Sequence, residues 1–123
     1  MMSEEIDIEI VDDDESLCRA LARLLRAAGY RNIHQSNSAE DFLHAAGRRN
    51  PSLLILDVRL PGMSGIDLLE HLRSTGSRIP VVLISSHDEE LRRARDMHYD
   101  PVAFLSKPFE ERDLLSVIHS INP

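Results

Sequence analysis

Four apolar runs in this chain end on, or lead into, side chains that can do chemistry. Ile8-Glu9-Ile10-Val11 stops on Asp12 and Asp13, Leu53-Leu54-Ile55-Leu56 stops on Asp57, and Val81-Val82-Leu83-Ile84 stops on Ser85 and Ser86. The fourth run, Val102-Ala103-Phe104-Leu105-Ser106, leads into Lys107, the one lysine of a chain whose other cationic side chains are all arginines. Lysine carries a compact ammonium on a flexible stem where arginine carries a planar fork, so a lone lysine suits a small anionic centre. Carboxylates gathered within a few ångströms repel one another, and their pKa values rise unless a cation shares the site. Mg²⁺ suits such a site, because it takes oxygen ligands and keeps open positions for water or phosphate oxygens. Asp57 stands directly after four aliphatic residues, where an idle buried charge is costly. Asp14 is read differently, as the N-cap of the helix that follows.

Those residues meet only if the elements that carry them are arranged suitably. Short apolar runs alternate with segments of helical period, the pattern of βαβ units and a parallel sheet covered on both faces. The expected strands are Ile6 to Val11, Asn32 to Gln35, Leu53 to Asp57, Pro80 to Ser85 and Val102 to Ser106, the second being weak and at an edge. The expected helices are Glu15 to Ala28 with Gly29 just beyond, a segment after the N-cap Ser38 ending near Gly47, Ser64 to Arg73, Asp88 to Met97, and Glu110 to Ile121. Inward positions are assigned to Leu17, Leu21, Leu24, Leu25 and Ala28 in the first helix. Ile66, Leu69 and Leu72 take that role in the third, and Leu91, Ala94 and Met97 in the fourth. The fold class is therefore a doubly wound five-stranded parallel α/β sheet. In such a sheet the residues past the strand C-termini line one edge, where ligands bind. Asp12, Asp13, Asp57, Ser85 and Lys107 are all expected there.

Composition narrows the class of function. At 123 residues the chain is expected to be a single domain, 1–123, with a real core and no room for a second module. The formal charge of −7 speaks against direct nucleic-acid binding. Its apolar runs are far shorter than the ~20 residues of a membrane span, and the acidic N-terminus is unlike a signal peptide, so a cytoplasmic protein is expected. Cys18 has no second cysteine to pair with and is read as a helix-packing thiol. The loop Arg59-Leu60-Pro61-Gly62-Met63-Ser64-Gly65 is turn chemistry and lacks the spacing of a nucleophile elbow.

Taken together, Val11 to Asp14, Leu56-Asp57 through Pro61-Gly62-Met63-Ser64-Gly65, Ser85 and Lys107-Pro108-Phe109 resemble a receiver domain of two-component response regulators across essentially the whole chain. The stretches Asp12 to Tyr30 and Asp57 to Gly65 are similar to receivers of the nitrogen-fixation type of transcriptional regulator. The resemblance implies that the sheet is flavodoxin-like, in the order 2-1-3-4-5. It also implies that Asp57 accepts a phosphoryl group from a sensor histidine kinase or histidine phosphotransfer protein. It implies that Mg²⁺ is held by Asp12, Asp13, Asp57 and the backbone carbonyl of Arg59. Ser85 and Lys107 would bind phosphoryl oxygens, and Ser85 and Phe104 would act as the switch that re-forms the face of helix 4, strand 5 and helix 5. The face would serve an output domain, a downstream protein or a homodimer formed on phosphorylation. The chain is thus expected to be a signalling phosphoacceptor with slow self-dephosphorylation, Arg59 shielding the phosphoryl group, rather than an enzyme. Lys107-Pro108 is similar to the family's cis peptide. Tyr99-Asp100-Pro101 departs from the usual Gly-Ala pair, and Phe104 stands where many relatives carry tyrosine. Two other readings compete. A haloacid-dehalogenase-like phosphatase needs a second acid where Arg59 stands, and a phosphorylation-independent pseudo-receiver would have no use for the full set of acids, hydroxyl and lysine.

Overall fold

The computed structural model describes residues 6–121, with five strands and five helices in strict alternation: β1 (Asp7–Val11), α1 (Glu15–Ala27), β2 (Asn32–Ser36), α2 (Ala39–Arg49), β3 (Leu53–Asp57), α3 (Gly65–Ser74), β4 (Val81–Ser85), α4 (Asp88–Asp96), β5 (Val102–Ser106) and α5 (Glu111–Ile121). The strands form one parallel sheet in the order β2-β1-β3-β4-β5. This is the predicted architecture, with the weakly apolar β2 at one edge.

Strand residues alternate between the two faces of the sheet, so the inner strands β1, β3 and β4 feed two cores. Ile8, Ile10, Leu53, Ile55, Val82, Ile84 and Leu105 pack under α1 and α5. Val11, Leu54, Leu56, Val81 and Leu83 pack on the other side against Ala39, Phe42, Leu68, Leu69, Leu72, Leu91 and Ala94. Every residue of β3 and β4 is buried, as befits the central strands of a doubly covered sheet.

Helix ends follow local chemistry. Asp14 caps α1, its side chain accepting from the Leu17 N–H at 3.1 Å. At the other end Gly29 takes φ +107°, donating to the Arg26 carbonyl while Tyr30 donates to that of Leu25, which satisfies two carbonyls left open by the helix. Ser64 and Asp67 form a reciprocal capping box on α3.

Several inward assignments are corrected. Leu17 and Leu24 are only partly buried and Ala28 is exposed, the fully covered stripe of α1 being Cys18, Leu21, Ala22 and Leu25. In α3, Leu68 takes the central place and Ile66 lies at the margin. Met97, the C-cap just past the last residue of α4, is 40% exposed rather than in the core. Leu91 and Ala94 are the buried residues of the fourth helix.

Arg73 at the end of α3 joins the far side of the sheet. Its guanidinium donates to the carbonyls of Tyr99, Ser77, Ile79 and Pro101 at 2.8 to 3.2 Å. One side chain thus ties α3 to the starts of β4 and β5. The Tyr99-Asp100-Pro101 stretch, expected to be unusual, contains a cis Asp100–Pro101 bond preceded by His98 at φ +56°.

Candidate functional site

Parallel strands deliver their C-terminal residues to one edge, and here Asp12, Asp57, Ser85 and Lys107 arrive together. Asp57 is the last residue of β3 and pairs in register with Ile84, one residue before Ser85. The Lys107 N–H donates to the Ser85 carbonyl at 2.8 Å, which extends the β4–β5 ladder past Ser106 and keeps the lysine beside β4. The Lys107–Pro108 bond is cis, as the resemblance implied.

Three carboxylates meet one ammonium. Oxygens of Asp12, Asp13 and Asp57 lie within 4.8 Å of one another, the first and last buried and Asp13 exposed at the rim. Lys107 Nζ stands 3.4 Å from Asp12 Oδ2 and 3.4 Å from Asp57 Oδ2. Burial and the Asp12 carboxylate push the Asp57 pKa up to about 6, against the opposing pull of Lys107 and the Arg59 N–H. The group is thus under-neutralised, with three acids facing a single cation. A hard divalent ion fits this donor set, which is all oxygen, partly open through Asp13 and short of positive charge.

The surrounding loop is built to hold Asp57 rigidly. Gly65 brings the start of α3 against it, its N–H donating to the Val58 carbonyl at 2.8 Å. A Cβ at Gly65 would collide with the Asp57 carbonyl oxygen, so no larger residue fits. Gly62, at φ +76°, turns the loop so that the Met63 N–H reaches Glu40 Oε2 at 2.9 Å. Arg59 N–H faces Asp57 Oδ1 at 3.4 Å.

Ser85 is buried, and its hydroxyl is already engaged. It accepts from the His87 N–H at 2.9 Å and donates to Glu90 Oε1 at 2.7 Å. The other carboxylate oxygen of Glu90 takes Arg59 Nε at 3.0 Å, and His87 Nδ1 lies 3.8 Å from Oε1. Burial works to raise the pKa of Glu90, but Ser85 and Arg59 outweigh it and hold the carboxylate below its usual range. In this unphosphorylated structure the Arg59 side chain is drawn aside to α4 by Glu90. Phe104 is half-buried opposite Leu83, with the Arg95 guanidinium 4.5 Å over its ring. Cys18 is buried, donates to the Asp12 carbonyl and has its thiol pushed up to about 11, foremost by burial, which fits a packing role.

Glu90 and Arg73 escape the sequence reading for different reasons. Glu90 sits in a run of charges, Asp88 to Arg93, that reads as a solvated face, and no local signal separates it from Glu89. Arg73 was placed only as a helix end, and its four carbonyl partners lie on segments whose proximity only the fold reveals.

Residues 8–119 match the family model of the response regulator receiver domain. Among characterised sequences the chain is 38% identical over 120 residues to the response regulator protein TmoT of Ectopseudomonas mendocina, covering 98% of this chain and 54% of that protein. It is 29% identical to the transcriptional regulatory protein FixJ of Azorhizobium caulinodans, covering 97% and 56%. The chain thus spans about half the length of these relatives. Among solved structures it superposes on the response regulator StyR with a TM-score of 0.81 at 39% identity, covering 94% of this chain and 58% of that one. It also superposes on chemotaxis protein CheY4 of Vibrio cholerae with a TM-score of 0.83 at 20% identity, covering 94% and 98%, a likeness of fold.

Proposed function

Because the chain belongs to the response regulator receiver family, we propose that it is the phosphoacceptor module of a two-component relay, taking a phosphoryl group on Asp57 from a sensor histidine kinase or phosphotransfer protein. The observation that carries this reading is the buried pair Asp12 and Asp57, bridged by Lys107 and raised in energy by their mutual repulsion.

With a pKa of about 6, Asp57 is mostly ionised near neutral pH and available as a nucleophile. An oxygen of its carboxylate forms a bond to phosphorus as the bond from phosphorus to the donor nitrogen breaks, and the leaving imidazole keeps the electron pair. Transfer of this kind depends on positioning and charge neutralisation rather than on covalent help. Lys107 balances one charge of the transferred group, and the Ser85 hydroxyl, at the end of β4, would donate to another of its oxygens. Mg²⁺, held by Asp12, Asp13, Asp57 and the backbone carbonyl of Arg59, would supply the remaining neutralisation of phosphoryl oxygens. The rest of the chain holds Asp57 in place, through Gly65 and the Glu40-anchored loop.

The donor protein needs a surface beside the acids. A half-buried groove of about 500 Å³ lies next to Lys107, lined by Leu17, Leu21, Leu24, Pro108 and Phe109. It suits an apolar helix face presenting a phosphohistidine. The phosphorylated form acts through α4 and β5, whose face is read by an output domain, a downstream protein or a second copy of the chain. Residues 8–119 form a receiver domain that works in the cytoplasm as a signalling phosphoacceptor, not as a turnover enzyme. Among the described residues no helix is long and apolar enough to cross a membrane.

The test is incubation with acetyl phosphate, with and without Mg²⁺, followed by separation on a phosphate-affinity gel. A retarded band that needs Mg²⁺ supports the proposal. Its absence under both conditions, in a folded sample, would leave a phosphorylation-independent interaction module.

A further inference from the structure

The Ser85 hydroxyl has one proton, and its short acceptor is Glu90 Oε1 at 2.7 Å, well inside the His87 carbonyl at 3.4 Å. The second oxygen of the same carboxylate holds Arg59, on the loop directly after Asp57, at 3.0 Å. We propose that Glu90 is a latch for the unphosphorylated state, its carboxylate holding the Ser85 hydroxyl and the Arg59 guanidinium away from Asp57 and fastening the N-terminus of α4 to both.

The inference rests on the receiver reading above, since it supposes that a phosphoryl group on Asp57 calls for the Ser85 proton. Four observations support it. The Glu90 side chain is only 14% exposed and Ser85 is buried, so the bond between them is largely shielded from competing water, while the Arg59 bond lies at the surface. Hydrogen bonds to an ionised acceptor are the stronger kind, which makes the Ser85–Glu90 bond a real competitor of any new one. His87, the N-cap of α4, makes no side-chain cap bond, so the first turn of that helix is anchored through Glu90 to Ser85 and Arg59 and through Asp88, which accepts from the Ser106 hydroxyl at 2.8 Å. Finally, α4 buries only Leu91 and Ala94, too little to fix its first turn by packing. Once Ser85 turns toward a phosphoryl oxygen, Glu90 loses a partner and the first turn of α4 loses its hydrogen bond to β4, leaving Leu91 and Ala94 to hold the helix. The released helix carries Arg95 away from the ring of Phe104, which links the latch to the aromatic at the switch. Glu90 touches none of the reacting atoms and acts as a positioning residue.

A latch opposes activation, so removing it should strengthen binding of a phosphoryl mimic, whereas a residue needed only for folding would weaken it. The probe is beryllofluoride with Mg²⁺, its bound fraction followed by fluorine NMR. Glu90→Ala should bind about tenfold more tightly than wild type, the equivalent of one charge-assisted hydrogen bond no longer broken. Glu90→Gln keeps the shape and a weaker acceptor, and should gain severalfold. Glu89→Ala removes the same charge from the exposed neighbouring position and should stay within about twofold of wild type. Without ligand, Glu90→Ala should also raise hydrogen exchange in the first turn of α4 and leave α5 unchanged. If Glu90→Ala proves unfolded in its thermal transition, Glu90→Gln decides the matter. Equal or weaker binding by the folded Glu90 variants, against a wild type that does bind, would overturn the latch alone. Failure of wild type itself to bind beryllofluoride would overturn the receiver reading and the latch with it.

Discussion

Asp57→Asn should make the protein more stable, not less, when Mg²⁺ is absent. Burial and Asp12 raise the Asp57 pKa from 3.8 to about 6 even with Lys107 in place. A displacement of that size is worth on the order of 3 kcal/mol between the ionised and protonated forms. The sign follows from proton counting. Between pH 4 and 6 the folded protein binds more protons at this site than the unfolded chain does, so stability falls as pH rises through that window and stays low above it. The asparagine amide reproduces the shape of the protonated carboxyl without its charge, leaving Lys107 to pair with Asp12. The substitution should therefore raise stability by roughly 2 to 3 kcal/mol at pH 7.5, about 6 to 12 °C in melting temperature for a domain of this size, and by almost nothing at pH 4. Saturating Mg²⁺ should close the gap from the other side, since a ligand bound only by the folded state stabilises wild type. Differential scanning calorimetry on both proteins at pH 4 and 7.5, with EDTA and with Mg²⁺, reads all four corners. If Asp57→Asn melts no higher than wild type at pH 7.5 in EDTA, or gains equally at both pH values, the electrostatic account of the site is wrong.

Further outcomes follow from single contacts. Gly65→Ala forces a methyl onto the Asp57 carbonyl and should cost about 1 to 3 kcal/mol in urea unfolding, together with weaker Mg²⁺ binding by calorimetry; an unperturbed variant would mean the α3 approach is not needed. Arg73→Ala removes one donor from four carbonyls, of which Pro101 keeps the Val81 N–H, and should destabilise the fold by about 2 to 4 kcal/mol, whereas a loss under about 0.5 kcal/mol would demote that clamp. Beryllofluoride with Mg²⁺ should change hydrogen exchange across residues 86–106 and leave α1 and β3 as they were; equal protection in both states would remove α4 and β5 from the switch. Arg59→Ala should shift the decay of the phosphorylated form by more than about twofold if Arg59, once freed from Glu90, covers the phosphoryl group.

Much of this was legible in the sequence because the fold depends on one-dimensional patterns. Leu53 to Leu56 and Val81 to Ile84 are unbroken aliphatic runs that only a doubly covered strand buries, and their polar stops mark the sheet edge. Asp12, Asp57 and Lys107 were found for that reason, and the contacts at 3.4 Å follow from register. What stayed hidden depends on rotamers and on loop paths. Whether Ser85 faces Asp57 or Glu90, and whether Arg59 covers the acids or leaves them, is set by competition among nearby polar groups that leaves no mark on spacing. Met97 was misplaced because its helical phase is inward, yet the helix ends one residue earlier. Leu17 and Leu24 also follow the period of the core, but the groove beside Phe109 leaves them half open.

The central claim is that Asp57 receives the phosphoryl group, and intact-mass spectrometry tests it most directly. Wild type and Asp57→Asn, both shown folded, are incubated with acetyl phosphate and Mg²⁺ and sampled over time. The account predicts a single phosphoryl adduct on wild type and none on the variant. An adduct that forms on Asp57→Asn at the wild-type rate would contradict it.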